Sequence, residues 1–408
     1  MSAPSFLLRA VCYTLIVRKH CSVALHSLVQ FSKRRGLQLP ERPLQKMLPS
    51  KLQQRDFNMD SILAGMQKKS KGRDISVELY RVFLMFLICL IHSSGYGIAP
   101  NPYFTGGILW AVCGFVFISG WFGIRFSVSK MLRLLATGVF CGGLTALIAH
   151  FFLDLPVDCR EIGHLMLRPW FLCAYMVLML LVPFLNSAFD NFRRIKNGFV
   201  AFLFLLMWNW LSRTDIKFCL PIAYGLGDYT FMMMVVVYIA ARFMRKCHDR
   251  GNFFLDQFSS KRLLVCVILL FALLSAGSHL QFGIYSSPFS LMMATMCFVL
   301  FKRLRVGKRI DSMISFISPS LLSVYLIHSN TPGFVAIKRL QSFLWGSGIP
   351  KFACVPLAAV IVFWACFSMD LLRRGACRLL RGAIKRFESG LDDVCARIEA
   401  VVCASLHK

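Results

Sequence analysis

Residues 74–96 read Asp-Ile-Ser-Val-Glu-Leu-Tyr-Arg-Val-Phe-Leu-Met-Phe-Leu-Ile-Cys-Leu-Ile-His-Ser-Ser-Gly-Tyr, and this stretch decides the fold. Ten consecutive apolar residues separate Arg81 from His92. The segment has no period-two alternation, so it reads as a helix. It is also long enough for the roughly 20 residues needed to cross a bilayer core. Three ionisable side chains interrupt it, and each costs several kcal/mol in lipid unless paired or wet. Glu78 and Arg81 are three apart and share a face, so they can pair. Arg81 and His92 are eleven apart, almost three turns, and lie about 16 Å from each other along the same stripe.

The rest of the chain matches this opening. Of its 408 residues 57% are hydrophobic and only 16% charged, with a mean hydropathy of +0.62. That composition excludes a disordered chain, a coiled coil and an ordinary soluble enzyme. Ten apolar stretches have spanning character: 76–96, 104–124, 132–152, 168–186, 198–212, 228–244, 262–280, 287–302, 313–330 and 352–372. Only helices or closed barrels satisfy their backbone in lipid, and these runs choose helices. The expected fold is therefore an all-α integral membrane bundle of about ten transmembrane helices.

The net charge of +28 tests that count. With the start of the first helix placed on the cytoplasmic side, the inner connections hold 27 Lys and Arg and the outer connections hold 7. This asymmetry follows the positive-inside rule, and it places both termini in the cytoplasm. The basic balance thus reports a membrane surface, and no nucleic-acid partner is expected. Residues 66–372 are expected to form the membrane domain and 373–408 a basic cytoplasmic tail. Residues 1–65 form a basic extension with no run of spanning length and no clean signal peptide. From Met66 the chain reads as an ordinary basic lead-in, so Met59 and Met66 stand as alternative starts.

The 16 cysteines are scattered, with none at CxxC spacing, and mostly sit in apolar runs as small space-fillers. No HExxH and no clustered Cys/His set points to a metal. No GxxxxGK[ST] loop supports ATP-driven transport.

Several motifs recur in order. They are Glu78-x-x-Arg81 followed by His92; Phe117-Ile-Ser-Gly-Trp121; Ser129-Lys-Met-Leu-Arg133; Trp170-Phe-Leu-Cys-Ala-Tyr175 through Pro183-Phe-Leu-Asn186; Gly227-Asp-Tyr-Thr; and Ser323-Val-Tyr-Leu-Ile-His328. Each alone is weak. Together, across about 73–372, they resemble the membrane acyltransferase family 3. In that family many members carry aspartate at the position of Glu78, and arginine is usual at the position of Lys130, where lysine offers a point charge instead of a bidentate fork.

The resemblance implies transfer of an acyl group, usually acetyl from acetyl-CoA, to a hydroxyl of a surface polysaccharide or its lipid-linked precursor in the inner membrane. On that reading His92 is the general base or the acyl-carrying nucleophile, since imidazole titrates near working pH. Glu78 holds Arg81. Arg125, Lys130 and Arg133 would take the anionic end of acetyl-CoA, with Ser119 lining the donor channel. Trp170 would stack on a sugar, and His328 would face His92 across the bundle. The acids Asp154, Asp158 and Glu161 with His164 in the outer loop 151–168 could bond sugar hydroxyls, although a solvated loop is the better reading of them. The alternative is a non-enzymatic transporter or exporter of lipid-linked sugars, against which stands the lack of an internal repeat. A structural membrane subunit is a third reading.

Overall fold

The computed structural model describes residues 74–98, 100–156, 169–190, 231–277, 285, 287–380, 382, 386 and 390, all within one compact unit, Ser70–Lys408. The described residues are helical and contain no strand. In chain order the helices are α1 (Ile75–Gly95), α2 (Pro102–Ile108), α3 (Ala111–Phe122), α4 (Val128–Leu153), α5 (Trp170–Asp190) and α6 (Phe231–Asp249). They continue with α7 (Ser260–Ala276), α8 (Pro288–Lys302), α9 (Lys308–Ile317), α10 (Leu321–His328), α11 (Thr331–Gly346) and α12 (Lys351–Leu379).

The starts of these helices are written locally. Asp74 caps α1 by accepting from the Ser76 amide at 3.1 Å. Asn101 and Ser287 cap α2 and α8 in the same way, each followed by a proline whose missing N–H costs nothing at a first helical position. Asn330 caps α11 by accepting from the Gly333 amide at 2.9 Å, and its Nδ2 donates to the carbonyl of Leu326 at 3.0 Å. That second bond ties the end of α10 to the start of α11.

Among the described residues six segments are long and apolar enough to cross a membrane: Ile75–Gly95, Pro102–Phe122, Val128–Leu153, Trp170–Ser187, Lys308–His328 and Lys351–Leu379. The shorter α8 is also apolar. Nine of the ten expected stretches coincide with helices, and the tenth, 198–212, lies outside the described residues. The chain is a multi-pass membrane protein. Its outward faces agree, because Leu264, Val265, Ile268 and Leu269 on α7 and Phe352, Val360 and Trp364 on α12 are apolar yet exposed, as lipid-facing side chains are.

Three details differ from the hydropathy reading. The stretch 104–124 is broken between α2 and α3 at Leu109–Trp110. The stretch 313–330 is broken by a short 3-10 turn, Ser318–Ser320, at Pro319, which cannot donate into a continuing helix. The connection 329–351 holds a further helix, α11. It buries Pro332, Ile337, Gln341 and Leu344 and exposes Lys338, Arg339, Phe343 and Trp345. That amphipathic pattern escapes a search for continuous apolar runs.

The first helix is central, packing against α2, α3, α8, α9, α10, α11 and α12. Its Tyr80, fully buried, donates to the carbonyl of Ala294 on α8 at 2.9 Å. Helices α3 and α6 also approach closely. A Cβ on Gly120 would stand 2.6 Å from the carbonyl oxygen of Tyr238, so only glycine permits the contact.

Candidate functional site

His92 lies in the last turn of α1 and His328 ends α10. Their ring centroids are 4.9 Å apart. The Nδ1 of His328 meets the carbonyl of Val324 one turn earlier. A carbonyl only accepts, so that nitrogen carries the proton and Nε2 of the neutral ring presents a lone pair. Nε2 of His328 and Nδ1 of His92 are both buried, and neither has a hydrogen-bond partner among the described residues. Buried polar atoms are ordinarily paired, so two orphaned ring nitrogens in adjacent imidazoles mark a place built to meet something polar.

Aromatic rings enclose the pair. Phe334 of α11 lies 5.3 Å from the His92 ring and stacks on Tyr96 with centroids 3.7 Å apart. Tyr325 stands 6.5 Å from His92 and 5.7 Å from Phe171. Phe171 in turn adjoins Trp170 at 5.8 Å. Trp170 is thus joined to the histidines through two intervening rings and does not touch them.

The backbone beside His92 is held from α11. Gln341 is fully buried; its Nε2 donates to the Ser93 carbonyl and its Oε1 accepts from the Ile98 amide, both at 2.9 Å. The Ser93 carbonyl is among the last of α1, where no intrahelical donor remains. A Cβ on Gly97 would collide with Gln341 Oε1 and the Ser93 carbonyl, so the chain turns there only as glycine. Thr105 donates to Ser94 Oγ at 3.0 Å and completes the polar frame.

Towards the other end of α1, Arg81 pairs with buried Glu78 at 2.6 Å. Ser119 donates back to the Phe115 carbonyl at 3.1 Å and meets the Tyr175 hydroxyl at 3.2 Å. Arg125, Lys130 and Arg133 are exposed, on the turn after α3 and the first turns of α4. Of the outer-loop acids, Asp154 ends α4 in a left-handed conformation, whereas Asp158, Glu161 and His164 lie outside the described residues. The motif Gly227-Asp-Tyr-Thr is outside them too.

Several contributors escaped the sequence reading. Asp370, buried in α12, pairs with Arg373 at 2.6 Å. Arg374 donates to the Phe316 carbonyl at 2.8 Å, tying α12 to α9. Asp370 carried a legible signal, an acid inside an apolar run with an arginine three later, the same pattern as Glu78 and Arg81. Tyr238 donates to Asn186 at 2.9 Å and accepts from the Ile124 amide at 3.3 Å, while Asn186 donates to the Ile124 carbonyl at 3.3 Å. This closed set pins the turn after α3. Among the described residues no group of three or more His, Cys, Asp or Glu is placed to hold a metal.

Fold and site together define a multi-pass helical membrane protein with two adjacent histidines, each holding a buried and unpartnered ring nitrogen, at one end of its central helix. The acyltransferase 3 domain model matches residues 74–370, and the chain belongs to this family of membrane acyltransferases. Neither the comparison with curated proteins nor that with solved structures gives a match.

Proposed function

We propose that the protein is an O-acetyltransferase of the inner membrane. It would move an acetyl group from cytoplasmic acetyl-CoA to a hydroxyl of an envelope polysaccharide or its lipid-linked precursor. The observation that carries this reading is the pair of unpartnered imidazole nitrogens, buried at the end of α1 remote from its basic lead-in. A hydroxyl entering there meets a lone pair able to take its proton. As that proton moves to imidazole, the oxygen attacks the thioester carbonyl; the C–S bond breaks, the thiolate leaves and the imidazolium returns a proton to it.

His92 takes the base role in this scheme and His328 orients or polarises the same hydroxyl. Arg81, held by Glu78, and the exposed Arg125, Lys130 and Arg133 favour an anionic donor on the basic side. Trp170 lines the approach through Phe171 and Tyr325. The excess of basic residues in alternate connections supports cytoplasmic termini.

The test uses membrane vesicles containing the protein, acetyl-CoA labelled in the acetyl group, and a bacterial surface polysaccharide. Label appearing in the glycan as a base-labile ester supports the proposal. Glycan movement across the membrane without acyl-CoA dependence, and no ester formed, would replace it with the exporter reading.

A further inference from the structure

A cavity of about 160 Å3, walled mainly by apolar side chains with a few charged ones, lies far from the histidines and among inner-end residues of α3, α6 and α8. It sits near the start of α1, since Ser76 donates to the Leu304 carbonyl just beyond the cavity-lining Lys302. Ser76 and His92 are separated by about 24 Å at 1.5 Å per residue. The cavity floor is Trp121, walled by Phe298 at 5.0 Å, Phe253 at 5.8 Å and His248 at 5.3 Å. Trp121 is 2% exposed, and its Nε1–H is buried without an acceptor among the described residues.

The charges around it are unequally satisfied. Asp256 is taken by His248 at 2.6 Å. Arg303 is spent on the carbonyls of Phe258 at 2.6 Å and Leu255 at 3.0 Å. Arg245, 5.5 Å from the Trp121 ring, is paired with Asp249 at 2.8 Å. Lys302 differs: its ammonium stands 5.2 Å from the indole centroid with no carboxylate partner among the described residues. It is half-buried. An indole whose N–H has no acceptor and an ammonium with no carboxylate partner, among the described residues, therefore line a single cavity, and the carboxylate at its edge is already bonded to His248. The missing partner is an anion with hydrogen-bond-accepting oxygens. Cavities of about 150 Å3 hold a benzene-sized guest, so this one admits a single phosphoryl group and not a whole nucleotide.

We propose that the Trp121–Lys302 cavity is a phosphoryl-binding site, with Trp121 Nε1–H and Lys302 Nζ as its donors. Two sources carry that chemistry: a phosphate of the acyl donor's nucleotide and the headgroup of an anionic lipid. Attribution to the donor rests on the proposed function; binding of the phosphoryl group does not.

The test measures equilibrium binding of radiolabelled adenosine 3′,5′-bisphosphate to the full chain in phosphatidylcholine nanodiscs, and again with phosphatidylglycerol added. Hydrogen bonds to charged groups predict that Lys302→Gln weakens binding roughly ten- to hundredfold. Trp121→Phe, which keeps the ring and loses the N–H, weakens it less, and Lys302→Arg retains it. His92→Ala binds as wild type, which separates this site from the transfer chemistry. Competition by phosphatidylglycerol that disappears in Lys302→Gln keeps the phosphoryl site and names the lipid as occupant. Equal binding of the bisphosphate by wild type, Lys302→Gln and Trp121→Phe, or no binding of either probe by the wild type, overturns the proposal.

Discussion

Replacing Gln341 by methionine removes both hydrogen bonds that α11 makes to the end of α1 while nearly preserving side-chain volume. The Ser93 carbonyl and the Ile98 amide lose their partners inside a site where Gln341 itself is fully buried. Each unsatisfied group costs about 1–3 kcal/mol, so the loss is about 2–6 kcal/mol. Volume is kept, so no large cavity term adds to it. His92 precedes Ser93, and a shift of about 1 Å in a reacting group can cost on the order of 100-fold in rate. Q341M is therefore expected to lower the SDS-denaturation midpoint and to reduce turnover more than it raises the KM for the acyl donor. Q341E falls further, because a carboxylate oxygen replaces the amide donor that meets the Ser93 carbonyl. Wild-type stability and turnover in both variants would refute the view that Gln341 fixes the catalytic end of α1.

Gly97→Ala drives a methyl group into Gln341 and the Ser93 carbonyl. It is expected to reproduce the Q341M defect, checked by the same midpoint and rate; an unaltered protein would count against the tight turn. Asp370→Ala leaves Arg373, only 18% exposed, without its partner. Breaking such a pair costs about 3–5 kcal/mol, so the folded yield in detergent should fall sharply, as size-exclusion profiles would show. Phe334→Ala removes the ring stacked on Tyr96 and opens one wall around His92. Spontaneous hydrolysis of the acyl donor should then rise relative to transfer, measured as thiol release without acceptor; an unchanged ratio would deny the ring a role in excluding water.

The main helices were legible because their signals are continuous. The first apolar run, its Asp74 cap and the three-residue spacing of Glu78 and Arg81 all describe one local object. Helix α11 was illegible for the opposite reason. Lys338, Arg339 and Gln341 interrupt its apolar residues, and the face it buries is defined by α12, α4 and the end of α1, the last two distant in sequence. The breaks at Leu109–Trp110 and Pro319 fall inside stretches that hydropathy averages over.

The juxtaposition of His92 and His328 was a matter of topology. Hydropathy puts each near an end of its own apolar stretch, but the 4.9 Å separation depends on α10 packing against α1. The fixed tautomer of His328 depends on a carbonyl one turn away, a contact that no residue type announces. The orphaned donors around Trp121 are likewise visible only as a sum over three helices. What a sequence shows least well is which polar atoms have been left without partners.

The central claim is that His92 is the residue on which transfer turns. Purified His92→Ala, shown by its elution profile and denaturation midpoint to be folded like the wild type, should lose about 10²- to 10⁴-fold in acetyl transfer from acetyl-CoA to glycan. Transfer within a few-fold of wild type in that folded variant would contradict the account.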